Sequence, residues 1–166
     1  GICCTGNEVL MREGIPTATN FGSQELAIMT GALDAMIMDV QCISPGVKDM
    51  CNCFHTQLIS TSPISKIPGS YHIDFNESSA MEDAKKIVRL AIAQYSKRKP
   101  ELVRIPKFKK QVIGGFRFEA LMELFAKINP DFPVRVLTDA ILAGEIKGVC
   151  AFAGCNNQKT IHDNSI

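Results

Sequence analysis

Short apolar runs with strand character alternate, over the first hundred residues, with stretches whose apolar side chains recur at helical spacing. The clearest run is Ala35–Met38, which has no polar interruption and so predicts a strand buried on both faces of a parallel sheet. Ser79 and Glu82 form a capping box that predicts the start of an amphipathic helix extending to Tyr95. Because strands that alternate with helices form parallel sheets covered by helices, the pattern predicts an α/β fold with a doubly wound, Rossmann-like parallel sheet.

Cap and turn signals place the other elements of this fold. Ser23 is a candidate cap for a helix that Gly31 would end, and Ser44 precedes a proline that favours the first turn of another helix. The remaining predicted elements are a strand end at 1–4, a helix after Cys4, an extended run at 15–20, and strands at 57–60 and 71–75.

The composition changes near residue 100, where we expect a domain boundary. Residues 101–110 are basic and interrupted by proline, which is typical of a connection between domains. Residues 147–153 then predict the first strand of a second α/β unit. We therefore expect a Rossmann-like α/β domain truncated at its N-terminal side at 1–100, a connector and amphipathic helix at 101–132, and the first strand and loop of a second α/β domain at 133–166.

Composition and charge exclude several classes of protein. Apolar residues make up 46% of the chain and charged residues 21%, which is typical of a folded globular protein. The net charge is only +1, and the densest basic cluster, at 97–99, suits a helix end better than a nucleic-acid site. The apolar runs are too short to cross a bilayer and no signal-peptide pattern opens the chain. We expect a cytoplasmic protein with no nucleic-acid partner and no membrane span. The chain also lacks an initiator methionine, so we expect an internal segment of a longer protein.

The chain has seven cysteines, an odd number that excludes complete internal pairing. Reduced thiols or metal ligands are the better expectation, although the spacing matches neither a zinc ribbon nor a ferredoxin run. Cys4, Cys42 and Cys155 each follow the end of a predicted strand, at the sheet edge where ligands bind in open α/β folds. The three thiols are therefore candidate ligands of one large metal cluster. The alternative is that they are buried free thiols that only fill space.

Several stretches of the chain resemble, in order, the catalytic subunit of anaerobic nickel–iron–sulfur carbon monoxide dehydrogenases. The resemblance covers nearly the whole chain. Its stretches are GICCTGNEVLMR at 1–12, SQE at 23–25, TGALDAM at 30–36, DVQCI at 39–43, CFHT at 53–56, IPG at 67–69, GEIKGV at 144–149 and GCNN at 154–157.

The resemblance implies a nickel–iron–sulfur cluster in the parent enzyme, with Cys4 on its pendant iron and Cys42 and Cys155 on irons of its cage. It implies no catalytic residue within this fragment, because the family's iron-binding histidine and its acid–base residues match positions outside the chain. The iron–sulfur electron-transfer clusters of the family also lie outside it. Cys3 is then expected to lie near the cluster or in the core, Cys51 on an apolar helix stripe, and Cys53 and Cys150 in packing roles.

The same resemblance implies the reaction and the partners. The family oxidises carbon monoxide with water to carbon dioxide, protons and electrons, and a ferredoxin-like carrier would accept the electrons. The full subunit would form a homodimer and could associate with acetyl-coenzyme A synthase. We expect the isolated fragment to be inactive, since it holds only part of the ligand set.

Three alternatives remain open, the first from a family related to the one that the chain resembles and the other two from the residues. One is a fragment of a hybrid-cluster protein acting as a hydroxylamine reductase, which shares part of this cysteine pattern. Another is a nucleotide-binding module, although no G-x-G-x-x-G turn follows a predicted strand. The third is a structural α/β domain with free thiols.

Overall fold

The computed structural model describes residues 1–3, 12–40, 42–108 and 116–151. Two compact units divide these residues, one up to Lys107 and the other from Phe108 onwards. The helix predicted after Cys4 lies outside the described residues. The domain boundaries expected near 100 and 132 remain predictions.

A three-stranded parallel sheet organises the first unit. Its strands are β1 (Ala35–Met38), β2 (Gln57–Ser60) and β3 (Tyr71–His72), in the order β1-β2-β3. In the register of the sheet, Ala35 pairs with Gln57 and Ile59 pairs with Tyr71. Parallel pairing requires a crossover between strands. The crossover from β1 to β2 contains the helix Val47–Cys53, and the crossover from β2 to β3 contains only the short 3-10 helix Pro63–Ser65. The α/β class predicted from the sequence is confirmed.

Within the described part of this unit the α-helices are α1 (Gln24–Met29), α2 (Val47–Cys53) and α3 (Ala80–Tyr95). Helices α1 and α2 pack on each other, and the buried core on their side of the sheet is apolar. That core comprises Ile28, Met36, Met38, Val47, Cys51 and Leu58. Helix α3 contacts β1 and β2 separately from this core, so helices lie on both faces of the sheet.

Strand β1 is buried on one face only, which corrects the expectation of burial on both. Met36 and Met38 are 8% and 2% exposed, whereas Ile37 between them is 56% exposed. Successive side chains of a strand point to opposite faces, so Ile37 points towards the side of α3. There it lines an apolar groove of about 530 Å³ together with Val88 and Ile92 of that helix.

Helices α1 and α3 begin where expected, but the serine hydroxyls predicted to cap them do not accept a hydrogen bond from the helix backbone. The Ser23 hydroxyl does not cap α1, and Asn20 instead accepts the Gly22 N–H just before the helix. The Ser79 hydroxyl does not cap α3 but donates to the Asp83 carboxylate at 2.6 Å. In both places a nearby side chain competes for the hydroxyl, as serine commonly allows.

Gly31 ends α1 as expected. Its φ is +65°, a left-handed conformation that glycine adopts without steric cost. Its N–H donates to the Ile28 carbonyl at 2.9 Å, which satisfies one of the free carbonyls at the helix end.

The second unit contains α4 (Phe118–Ala126), within the range where the sequence predicts an amphipathic helix, and α5 (Arg135–Leu142). The strand predicted at 147–153 is wrong for 147–151, which have no regular secondary structure, and its last two residues lie outside the described part. Among the helices described in both units, none combines the length and the apolar character needed to cross a bilayer.

Candidate metal centre

Cys42 lies four residues beyond the end of β1, at the edge of the sheet formed by the carboxyl ends of the strands. Its thiol is exposed and forms no disulfide. An exposed thiol at this edge is available to a metal, and thiolates are the ligands that iron–sulfur clusters require. Cys42 is therefore accessible at the edge where the sequence predicts a cluster, and its role as a ligand remains a prediction.

The other two predicted ligands, Cys4 and Cys155, lie outside the described residues. Within the described ranges no group of three metal-binding side chains comes together. The convergence of Cys4, Cys42 and Cys155 on one cluster remains a prediction.

The amide of Gln24 holds the backbone of the Cys42 loop. Gln24 is the first residue of α1 and only 1% of its surface is exposed. Its Nε2 donates to the Cys42 carbonyl at 3.1 Å, and its Oε1 accepts the Ser44 N–H at 3.0 Å. One side chain thus satisfies backbone groups on both sides of Ile43, eighteen and twenty residues further along the chain. Sequence reasoning missed this role, because nothing local in the sequence links Gln24 to Cys42.

The segment before α1 also holds the chain that leads into Cys4. The Ala18 N–H donates to the Gly1 carbonyl at 2.8 Å, and Ile2 forms an isolated parallel bridge with Thr19. The strand expected at 1–4 is therefore a single bridge in the described residues. Cys3, the residue before Cys4, has a φ of +62° and is buried. Its burial agrees with the expected place in the core or beside the site.

The remaining described cysteines separate into two kinds. Cys51 is buried in the core of the first unit, as expected from its helix stripe, and burial raises the pKa of its thiol to about 11. It is a protonated packing residue at neutral pH. Cys53 and Cys150 are exposed.

Hydrogen bonds at the same sheet edge connect β2 and β3 through His72. The Ser60 hydroxyl is hydrogen-bonded to His72 Nδ1 at 2.8 Å, and His72 Nε2 donates to Asp74 Oδ1 at 2.8 Å. Ser70 lies 3.3 Å from the Ser60 hydroxyl, oxygen to oxygen. Ser60 is completely buried, so this serine cannot act as a nucleophile on a dissolved substrate. The contacts of His72 are those of a structural residue that joins two strands.

An ion-pair cluster lies at the opposite edge of the sheet, which is formed by the amino ends of the strands. The Asp34 carboxylate accepts from His55 Nε2 at 2.8 Å and from Arg98 Nη2 at 2.8 and 2.9 Å. Burial works to raise the pKa of Asp34, but the hydrogen bonds from His55 and Arg98 outweigh it and hold that pKa below its usual value. Arg98 also donates to the Ala32 carbonyl at 2.7 Å. The cluster ties the chain before β1 to the chain after α3, and it lies at the edge opposite Cys42.

Comparison with known proteins assigns the family. Residues 1–166 match the model of the Prismane/CO dehydrogenase family, so the chain belongs to that family. Carbon monoxide dehydrogenase 1 of Carboxydothermus hydrogenoformans is 55% identical over 165 residues, which are 99% of this chain and 26% of the relative. The resemblance inferred from the sequence stretches is confirmed.

Solved structures give the same result. Carbon monoxide dehydrogenase IV from Carboxydothermus hydrogenoformans matches with a TM-score of 0.78 and 54% identity, over 98% of this chain and 26% of that one. An acetyl-CoA synthase/carbon monoxide dehydrogenase, described for NiZn[Fe4S4] and NiNi[Fe4S4] clusters in its alpha subunits, matches with a TM-score of 0.76 and 53% identity, over 96% and 24%. The chain spans about a quarter of the length of these relatives.

Proposed function

We propose that this chain is a segment of a carbon monoxide dehydrogenase, which oxidises carbon monoxide with water to carbon dioxide, two protons and two electrons. The observation that carries the proposal is the identity of 55% over nearly the whole chain to a carbon monoxide dehydrogenase. The relatives' names favour this activity over the hydroxylamine-reductase alternative. Support from the site comes from Cys42, whose exposed thiol lies where open α/β folds bind ligands.

In this proposal Cys4, Cys42 and Cys155 are metal ligands, and the parent enzyme holds a nickel–iron–sulfur cluster. When bound, such a cluster supplies Lewis-acid activation of water and acceptance of the two electrons. The part of this chain is to supply thiolates and to hold them in place through the surrounding backbone. The groups that move protons would lie outside this segment, and so would the iron–sulfur electron-transfer clusters.

The partners and the location of the parent enzyme belong to the same proposal. Its electrons would pass to a ferredoxin-like carrier, and the subunit would form a homodimer in the cytoplasm. The proposal includes association with acetyl-coenzyme A synthase, which is supported by the similarity to a solved enzyme of that combined name.

The proposal is tested on the full-length protein that contains this sequence, produced without oxygen and supplied with nickel and iron. Carbon monoxide oxidation is measured by reduction of a viologen dye, and metal content by elemental analysis. We expect Cys42→Ala to lose both activity and nickel, since a ligand is missing. The matched control is Cys53→Ala, which removes another exposed thiol of the same unit and should leave both unchanged.

Two results would contradict the proposal. The first is full activity and full nickel content in the Cys42→Ala enzyme. The second is an unsubstituted protein that binds nickel and iron but does not oxidise carbon monoxide. The isolated 166-residue chain is expected to be inactive in the same assay, because it carries only part of the proposed ligand set.

A further inference from the structure

We infer that Gln24 is a positioning residue for the metal centre. Its side chain fixes the Cys42 loop to the segment that begins helix α1, and the residues just before that helix also pair with the chain leading into Cys4. The inference rests on the proposed function, because it takes Cys42 to be a cluster ligand. Gln24 does not itself offer a metal-binding atom to the cluster in this proposal. It acts through the backbone on either side of Ile43.

The two hydrogen bonds of Gln24 use both ends of its amide. The Cys42 carbonyl accepts from Nε2 at 3.1 Å, and the Ser44 N–H donates to Oε1 at 3.0 Å. A glutamine amide can satisfy one donor and one acceptor in this way only if its orientation is fixed. Since Gln24 is 1% exposed, water does not readily replace either bond. The loop is therefore held at two backbone points that flank a single residue.

The segment that carries Gln24 is also hydrogen-bonded to the start of the chain. Gln24 opens α1, and the residues immediately before that helix include Ala18 and Thr19. Ala18 donates to the Gly1 carbonyl at 2.8 Å, and Thr19 forms a parallel bridge with Ile2. The Thr19 hydroxyl is also hydrogen-bonded to the hydroxyl of Ser23, the residue before Gln24. One short segment thus connects the backbone preceding Cys4 with the backbone of Cys42.

This connection matters because a cluster needs its ligands close to one fixed geometry. Binding sites tolerate displacements of only about 0.5 Å, and the groups that orient the ligands determine whether this is met. Replacing such an orienting group typically weakens metal binding by about 10-fold to 100-fold. Gln24 is expected to have an effect of this size through the Cys42 backbone.

The competing explanation is that Gln24 is only a buried polar residue that stabilises the fold. Gln94 of α3 provides the matched control, since it is also a glutamine of the first unit and is 8% exposed. Its Nε2 donates to Gln57 Oε1 at 3.4 Å, so it is hydrogen-bonded to a side chain and not to the Cys42 loop. A general effect of losing a buried glutamine would appear equally in both variants.

The experiment compares Gln24→Met and Gln94→Met in the full-length, metal-loaded enzyme. Nickel retention is measured against increasing concentrations of a chelator, and the reduced cluster is recorded by electron paramagnetic resonance. We expect Gln24→Met to release nickel at a chelator concentration about 10-fold or more below that of the unsubstituted enzyme, with an altered resonance signal. Gln94→Met should match the unsubstituted enzyme in both measurements.

Equal nickel retention and an unchanged signal in Gln24→Met would overturn the inference. If that variant does not fold, as judged by circular dichroism, Gln24→Glu decides the question. It keeps the size of the side chain and the acceptor for Ser44, but it replaces the N–H that donates to the Cys42 carbonyl. Early nickel release is expected again, and parental retention would refute the inference. An unsubstituted enzyme without nickel or cluster signal would instead refute the proposed function, and the inference with it.

Discussion

Replacing Gly31 by alanine should destabilise the first unit by two separable effects. Gly31 has a φ of +65°, and a left-handed conformation costs an alanine about 1–2 kcal/mol. An added Cβ would also lie 2.5 Å from the Leu102 carbonyl oxygen and 2.9 Å from the Leu102 carbonyl carbon. These atoms are backbone, and the nearby Arg104 N–H donates to the Thr30 carbonyl at 2.7 Å, so they cannot move away easily. Forcing an extra methyl group into such a place costs about 1–3 kcal/mol.

The control for this prediction is Gly14→Ala. Gly14 has a φ of +77°, but among the described residues an added Cβ there would meet no atom within 4 Å. It therefore carries the conformational cost without the steric cost. We expect a loss of about 1–2 kcal/mol for Gly14→Ala and about 2–5 kcal/mol for Gly31→Ala.

The assay is urea unfolding of the 166-residue chain, followed by circular dichroism. Stability differences are calculated from the midpoints, provided that the slope of each transition is unchanged. If Gly31→Ala proved no less stable than Gly14→Ala, the close approach of the Leu102 backbone would be refuted. A loss in neither variant would refute the left-handed conformation of both glycines.

Two further predictions concern titratable groups of the first unit. The pKa of Asp34 is lowered in the folded state, so its contribution to stability is present above about pH 4 and is lost as the pH falls through the lowered pKa. Asp34→Asn should therefore make the urea midpoint less dependent on pH between about 5 and 3, and an unchanged dependence would contradict the ion-pair cluster. Burial and the raised pKa of Cys51, about 11, should protect this thiol from iodoacetamide at pH 8, whereas the exposed Cys53 should react. Peptide mass spectrometry measures both rates, and equal rates would contradict the packing of Cys51.

Local patterns in the sequence were sufficient to predict where most of the helices and strands lie. The apolar run at Ala35–Met38 became β1 with the predicted bounds, and the helical spacing up to Tyr95 became α3. Helix α4 likewise lies where apolar residues recur at helical spacing. These signals are local because the period of side chains along a helix or strand depends only on backbone geometry. The strand prediction that begins at 147 is wrong for the described residues 147–151, because a short apolar run does not distinguish a strand from irregular chain.

The sequence by itself determined the family, the α/β class and which cysteines are candidate ligands of a cluster, since each depends on residue identity and order. Only the tertiary structure showed that Gln24 holds the Cys42 loop and that Arg98 pairs with Asp34, 64 residues away. It also decided that Ile37 is exposed while its neighbours Met36 and Met38 in the same apolar strand are buried. The physical reason is that a side-chain hydrogen bond or a buried face depends on which distant segments folding brings together, and no local spacing encodes that neighbour.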